Sequence, residues 1–230
     1  MNTEPRSTAR EFVRFALNIG ALELLPEGRK LKSGRMSPYF FNSGLFNTGH
    51  RLSVLAGAYA AAVYTGGSRP DVIFGPAYKG IPLVAAVAVR LGNSIEYAFD
   101  RKEEKDHGEG GVVVGASLNG KKVTIIDDVM TTGKSIIEAA EIIRQEGGTP
   151  VGCVIAFDRQ ERVEGELSAV QEFEQKNYIP VCASATLDDL IWVLNDQLEN
   201  DEQLDDLQQF RLDLLIEKIL AYKTQYGAAL

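Results

Sequence analysis

Along this chain, stretches with helical spacing of apolar residues alternate with short unbroken apolar runs. Residues 8–17 are helical in pattern, with Phe12, Val13, Ala16 and Leu17 on one side and Arg10, Glu11 and Arg14 on the other. Apolar character continues over Ala21 to Leu25 until Pro26-Glu27-Gly28 interrupts it. Gly34 and Pro38 then punctuate a turn leading into a short aromatic strand, Tyr39-Phe40-Phe41. Gly49 to Tyr64 is Ala- and Leu-rich and predicts a buried helix closed by Gly66-Gly67. Asp71 to Phe74 predicts a strand, Ile81 to Leu91 a helix and Ile95 to Asp100 another strand. Val123-Thr124-Ile125-Ile126 is a run suited to a strand buried on both faces of a parallel sheet. Ile136, Ile137, Ala140 and Ile143 then mark the buried face of a helix ending at Gly147-Gly148. The pattern continues with a strand over 151–157, a helix over 165–175, a strand over 179–182 and a short helix over 187–194. Residues 195–206 are acidic and predict a solvated connector. Leu207, Phe210, Leu214, Leu215, Ile219 and Tyr222 restore helical spacing and predict a docked terminal helix. Alternating strands and helices predict an α/β fold with an open, mostly parallel sheet flanked by helices. The domain is expected over 1–195, with the acidic connector and C-terminal helix over 196–230.

Composition narrows the class without changing this picture. The 230 residues are 45% hydrophobic and 24% charged, as in ordinary globular proteins. No apolar run approaches the roughly 20 residues that span a bilayer, and the first ten residues lack the apolar stretch of a signal peptide. No membrane association is therefore expected, and the location reads as cytoplasmic. Cys153 and Cys182 both lie in apolar runs, which predicts small core residues rather than a disulfide or metal pair. A net charge of −8 argues against a nucleic-acid partner. An anionic substrate would need a local basic cluster working against that field.

The candidate chemistry centres on Val123 to Ser135. Asp127 and Asp128 follow the buried run directly, where two acids are costly unless they face a crevice and bind something. Thr131-Thr132-Gly133 then offers a helix start, with Thr able to cap free N–H groups. A ribose phosphate would satisfy the whole stretch, its hydroxyls on the carboxylates and its phosphate on the amides of residues 131–135. A strand, an Asx turn and a capped helix without ligand would look the same. Walker A is excluded because its leading Gly would fall on Asp128, and no G-x-G-x-x-G follows any strand. Three further stretches carry candidate groups. The aromatic strand with Lys32 suits a flat base beside an anion, or core packing beside a surface Lys. The Gly75-to-Gly80 loop carries Lys79, and a solvated loop Lys is its plain alternative. Residues 101–111 contain no apolar side chain, so they are expected to be mobile. They concentrate Arg101, Lys102, Lys105 and His107, either as a lid over a polyanion or as a solvated charge run.

Together LKSGRMSPYFFNSGLFNTG, FGPAYKGIPL, RKEEKDHGEGG, IIDDVMTTGKS and FDRQER resemble the orotate phosphoribosyltransferase family, in that family's chain order and from about residue 12 to about residue 194. The resemblance implies the type I phosphoribosyltransferase fold, with a small N-terminal hood and a C-terminal helical tail. It implies transfer of phosphoribose from phosphoribosyl diphosphate (PRPP) to orotate, giving orotidine 5′-monophosphate and pyrophosphate in pyrimidine biosynthesis. Lys32, Tyr78, Lys79, Arg101, Lys102, Lys105 and His107 are implied PRPP contacts, with Asp127, Asp128, Val129, Met130, Thr131, Thr132, Gly133, Lys134 and Ser135. Lys102, Lys105, His107, Asp127 and Asp128 carry the implied catalytic roles. Phe40, Phe41, Thr131 and Arg159 are implied to contact orotate, Arg159 through its carboxylate. Mg²⁺ is implied as cofactor, bound mainly through PRPP and pyrophosphate with no dedicated protein ligand. A homodimer sharing the lid across subunits is implied as well. Thr132, Lys134 and Ser135 vary the phosphate loop, Val163 stands where family members carry Gly, and the tail after Asp206 is longer than in shorter members. Two rival readings are a purine phosphoribosyltransferase and a PRPP-sensing regulator. The acidic charge and complete lid segment count against the regulator.

Overall fold

The computed structural model describes residues 6–31, 33–92, 95–105 (103–105 by backbone alone) and 111–229. Chain contacts divide it into two units. One comprises residues 48–158 and 169–184; the other comprises 1–47, 159–168 and 185–230. The expected boundary after residue 195 instead falls within a continuous helix.

The first unit holds a six-stranded sheet in the order β5-β4-β3-β6-β7-β8. Its strands are β3 (Val72–Gly75), β4 (Glu96–Lys105), β5 (Gly111–Gly115), β6 (Lys122–Asp127), β7 (Thr149–Asp158) and β8 (Val181–Thr186). β3 pairs in parallel with both β4 and β6, and β6 with β7, while β5 runs antiparallel to β4. Helices α2 (Gly49–Thr65), α3 (Gly80–Leu91), α4 (Lys134–Gln145) and α5 (Ala169–Asn177) pack on it. Alternate strand residues serve the two faces. Val72, Phe74, Val123, Ile125, Cys153 and Ile155 join Ile136, Ala140 and Ile143 of α4 in one core. Asp127 closes β6 and Asp128 follows it directly.

The second unit joins α1 (Ser7–Asn18), the antiparallel pair β1 (Leu22–Lys30) and β2 (Met36–Phe41), α6 (Leu187–Asn200) and α7 (Asp206–Tyr226). Phe12 of α1 stacks on Phe46 at 5.7 Å and meets Phe41 edge-on at 6.4 Å, which fixes β2 against α1.

Several expectations shift for identifiable reasons. β1 continues through Pro26-Glu27-Gly28 rather than ending there. Its pairing is interrupted between Leu24 and Arg29, where Lys218 of α7 donates to the Pro26 carbonyl at 2.9 Å. β4 extends to Lys105, so Arg101 and Lys102 lie in a strand rather than a loop. The ladder to Val113 and Val114 of β5 needs backbone only, so the polar side chains do not end it. Residues 165–168 precede α5, which begins at Ala169. The acidic connector shrinks to 201–205, because α6 reaches Asn200 with Asp196 on its outer side paired to Arg14. Cys153 is a core residue as expected, Cys182 is only half-buried, and both are free. On α7, Leu215, Ile216, Ile219 and Tyr222 are buried, but Leu207, Phe210 and Leu214 are exposed, so only its second half docks as expected. Val163 does not adopt a positive φ, so a β-branched residue is accommodated there without backbone strain.

Candidate active site

In the six-stranded unit, the chain reverses direction across the sheet between β3 and β6, and the loops following these two strands carry the candidate residues. Behind β6, Asp127 is 6% and Asp128 7% exposed, so both carboxylates need partners. Asp127 accepts from Ser135 Oγ at 2.7 Å and from the Asp128 amide at 2.9 Å. Asp128 accepts from the Val129 amide at 2.8 Å and pairs with Lys79. Burial pushes the Asp127 carboxyl above the usual carboxylate range, with the Ser135 and Asp128 hydrogen bonds opposing it. From α2, the buried Tyr59 hydroxyl donates to the Asp127 carbonyl at 2.6 Å and pins the end of the strand.

The turn into α4 differs from the capped start that Thr131 and Thr132 predict. Both threonines are exposed, and the N-cap is Gly133, at φ +68° with no side-chain cap. A Cβ there would sit 3.0 Å from Phe173, so Gly is required by conformation and by space. The first-turn amides of an α-helix have no intrahelical acceptor, and Gly133 supplies no side-chain cap for them. The helix start is therefore left open to an anion. Lys134 and Ser135 are exposed in its first turn, Val129 is half-buried, and Met130 points into the core, where only its backbone remains for a ligand.

On the β3 side, Tyr78 is 71% exposed and Lys79 is held by Asp128. The loop is tightly folded: a Cβ on Gly75 would lie 2.2 Å from the Gly80 carbonyl oxygen. Asp100 at the end of the apolar part of β4 accepts from the Ala77 amide at 2.6 Å and so holds this loop. Sequence reasoning missed Asp100, although an acid closing an apolar run (YAFD) is the signal that marks Asp127. A cavity of about 340 Å³ is lined by Pro76, Ala77, Asp100, Arg101, Lys102 and Ser135, among others. Lys102 is exposed, while Arg101 donates to the Gly111 carbonyl through Nε at 3.0 Å and Nη2 at 2.8 Å, tying β4 to β5. Lys32, His107 and the Lys105 side chain lie outside the described residues. No group of three or more metal-ligating side chains occurs among the described residues.

In the other unit, Arg159 is the centre of a polar cluster. Its Nε and Nη2 reach Glu161 Oε1 at 2.7 and 2.5 Å, Nη2 also donates to Ser37 Oγ at 2.9 Å, and the guanidinium lies 4.4 Å from the Tyr39 ring centre. Tyr39 belongs to the aromatic strand expected to face a base or the core, whereas Ser37 and Glu161 were given no role by the sequence. The neighbouring pair Phe40 and Phe41 splits across the strand. Phe41 is buried in the core, while Phe40 is half-buried with the Arg29 guanidinium 4.6 Å from its ring.

A model of the phosphoribosyl transferase domain family matches residues 46–181. The orotate phosphoribosyltransferase of Nitrosococcus oceani is 49% identical over 226 residues, 96% of each chain. That of Halorhodospira halophila is 50% identical over 224 residues, covering 95% of this chain and 97% of its own. The crystal structure of the Francisella tularensis orotate phosphoribosyltransferase matches with a TM-score of 0.78 at 39% identity, covering 95% of this chain and 100% of that one. Matches of this identity along nearly the whole of both chains show that this protein belongs to the orotate phosphoribosyltransferase family.

Proposed function

We propose that the protein transfers the 5-phosphoribosyl group of PRPP to orotate, giving orotidine 5′-monophosphate and pyrophosphate in pyrimidine biosynthesis. The observation that carries this reading is the pair Asp127 and Asp128 at the end of β6, followed by the uncapped start of α4. The carboxylates accept hydrogen bonds from the ribose hydroxyls, and the amides of residues 131–135 take the 5′-phosphate. Lys79, Tyr78 and Lys32 serve the diphosphate. Phe40 borders the orotate ring with Phe41 anchoring its strand from the core, Thr131 touches the base, and Arg159 takes the carboxylate.

In the reaction the C1′–O bond to pyrophosphate breaks and a C1′–N bond to orotate forms. Positive charge develops on the ribose ring while negative charge gathers on the departing pyrophosphate. Lys102, with Arg101, Lys105 and His107 of the proposed lid, neutralises the leaving group, and no side chain acts as nucleophile. When bound, Mg²⁺ adds electrostatic stabilisation of pyrophosphate. The nearby carboxylates are already engaged by Ser135, Lys79 and backbone amides, which fits an ion held mainly by substrate oxygens and water. A homodimer sharing the lid and a cytoplasmic location belong to the same proposal, the latter supported by two free cysteines. Among the described residues no helix is long and apolar enough to cross a membrane.

The test is loss of orotate absorbance on adding PRPP and Mg²⁺ to purified protein, with pyrophosphate released in equal amount. Turnover with adenine or hypoxanthine and none with orotate would overturn the assignment.

A further inference from the structure

We infer that Glu161 and Tyr222 are positioning residues for Arg159, so that the C-terminal helix tunes recognition of the orotate carboxylate. This rests on the proposed role of Arg159. The family domain match covers residues 46–181 and includes Glu161, whereas Ser37 and Tyr39 lie before it and Tyr222 after it.

An arginine that reads a carboxylate works by presenting a planar fork in a fixed orientation. A guanidinium on a flexible stem must be held before the ligand arrives, otherwise binding includes the cost of ordering it. Here the Nε–Nη2 edge is committed to Glu161 Oε1 and Ser37 Oγ. Glu161 is itself restrained at both oxygens. Oε1 also accepts from Tyr222 Oη at 3.0 Å and lies 3.4 Å from Tyr39 Oη, and Oε2 lies 3.3 Å from Arg35 Nη1. Arg35 in turn donates through Nη2 to the Arg162 carbonyl at 2.7 Å and lies over Tyr226 at 4.8 Å.

Charge explains why such a cluster suits an anionic ligand. Two arginines and one carboxylate leave one positive charge unbalanced, on side chains only 13% to 20% exposed. Burial raises Tyr39 and Tyr222 above the ordinary phenol range, so both hydroxyls keep the proton they donate to Glu161. Tyr222 is fixed by ring contacts, 6.0 Å edge-on to Tyr39 and 4.9 Å from Tyr226. Between Arg159 and Glu161, Gln160 adopts φ +53° with its side-chain amide bonded to Asp188 of α6 at both ends, 3.0 Å each. The two side chains that must meet are thereby aimed by α6 as well as by α7.

The test compares steady-state constants of Tyr222→Phe, Glu161→Gln and Arg159→Ala with those of the parent enzyme, with Tm measured alongside. Tyr222→Phe keeps the packed ring and removes only the hydroxyl. It should raise KM for orotate roughly threefold to tenfold, the value of one hydrogen bond, and leave KM for PRPP and Tm near parental. Glu161→Gln removes a charged partner and should raise the orotate KM by roughly tenfold or more. Combining the two should give less than the product of the single effects, since Tyr222 acts through Glu161. If Arg159→Ala weakens orotate but neither other variant does, the positioning role is overturned and the function stands. A parental orotate KM in Arg159→Ala removes both the role of Arg159 and this inference. A rise in both KM values with a fall in Tm would mark Tyr222 as merely structural and also overturn it.

Discussion

The cradle behind β6 and the cluster around Arg159 are built in opposite ways. The cradle is one unbroken stretch, Asp127 to Ser135, whose proposed ligand groups are two adjacent carboxylates and the amides of a helix start. The Arg159 cluster draws on β2, the segment after β7, Arg35 and α7, and its proposed ligand group is a single side chain held by others. A phosphate can be bound by backbone that the chain supplies locally. A planar carboxylate needs an oriented guanidinium, and orientation comes from neighbours distant in sequence.

The sharpest way to break the cradle is Asp128→Asn, which also leaves Lys79 without its charged partner. Its kcat/KM for PRPP should fall by roughly 100-fold or more, the size seen when one preorganised charge-stabilising group is removed. Lys102→Ala should lower kcat by about 10- to 100-fold with less change in KM for PRPP, because its charge is needed as pyrophosphate departs. Parental kcat in that variant removes the proposed lid role.

Gly133→Ala tests whether backbone shape alone makes the phosphate site. The substituted residue must hold φ +68° with its Cβ at 3.0 Å from Phe173, so a loss of about 1–3 kcal/mol in stability is expected. KM for PRPP should rise and KM for orotate should not. Tyr59→Phe removes the 2.6 Å hydrogen bond to the Asp127 carbonyl and should cost about 1 kcal/mol, seen by denaturant titration.

The smallest effects contrast the two regions by pH. Asp127 is raised in the folded protein by burial. It therefore favours the folded state below about 3.8, the ordinary carboxyl value, a contribution lost as pH rises through the folded value. Asp188, beside the Arg159 cluster, is opposed by its own burial but brought below 3.8 by hydrogen bonds from Lys223 and Gln160. Its contribution is present above that value and lost as pH falls through the lowered one. Asp127→Asn should thus remove a decline in Tm on raising pH, and Asp188→Asn a decline on lowering it. The same sign in both variants would contradict the assigned environments.

Sequence alone determined the parallel-sheet elements and marked the acidic pair that ends β6. A strand buried on both faces must be apolar throughout, and carboxylates at its end stand out against that rule, as Val123 to Asp128 does. Nothing local in the sequence distinguishes Glu161 from an exposed acid, or Tyr222 from any other apolar-face residue of its helix. Asp100 carries the same signal, an acid closing an apolar run, but in sequence it merges with the charged residues that follow it. The extension of β4 to Lys105, the reach of α6 to Asn200 and the exposed first half of α7 were likewise decided by tertiary structure. Backbone ladders and ion pairs such as Arg14–Asp196 stabilise polar segments that pattern alone assigns to solvent. Local chemistry specified the proposed phosphate site; only packing across the chain decided how Arg159 is aimed.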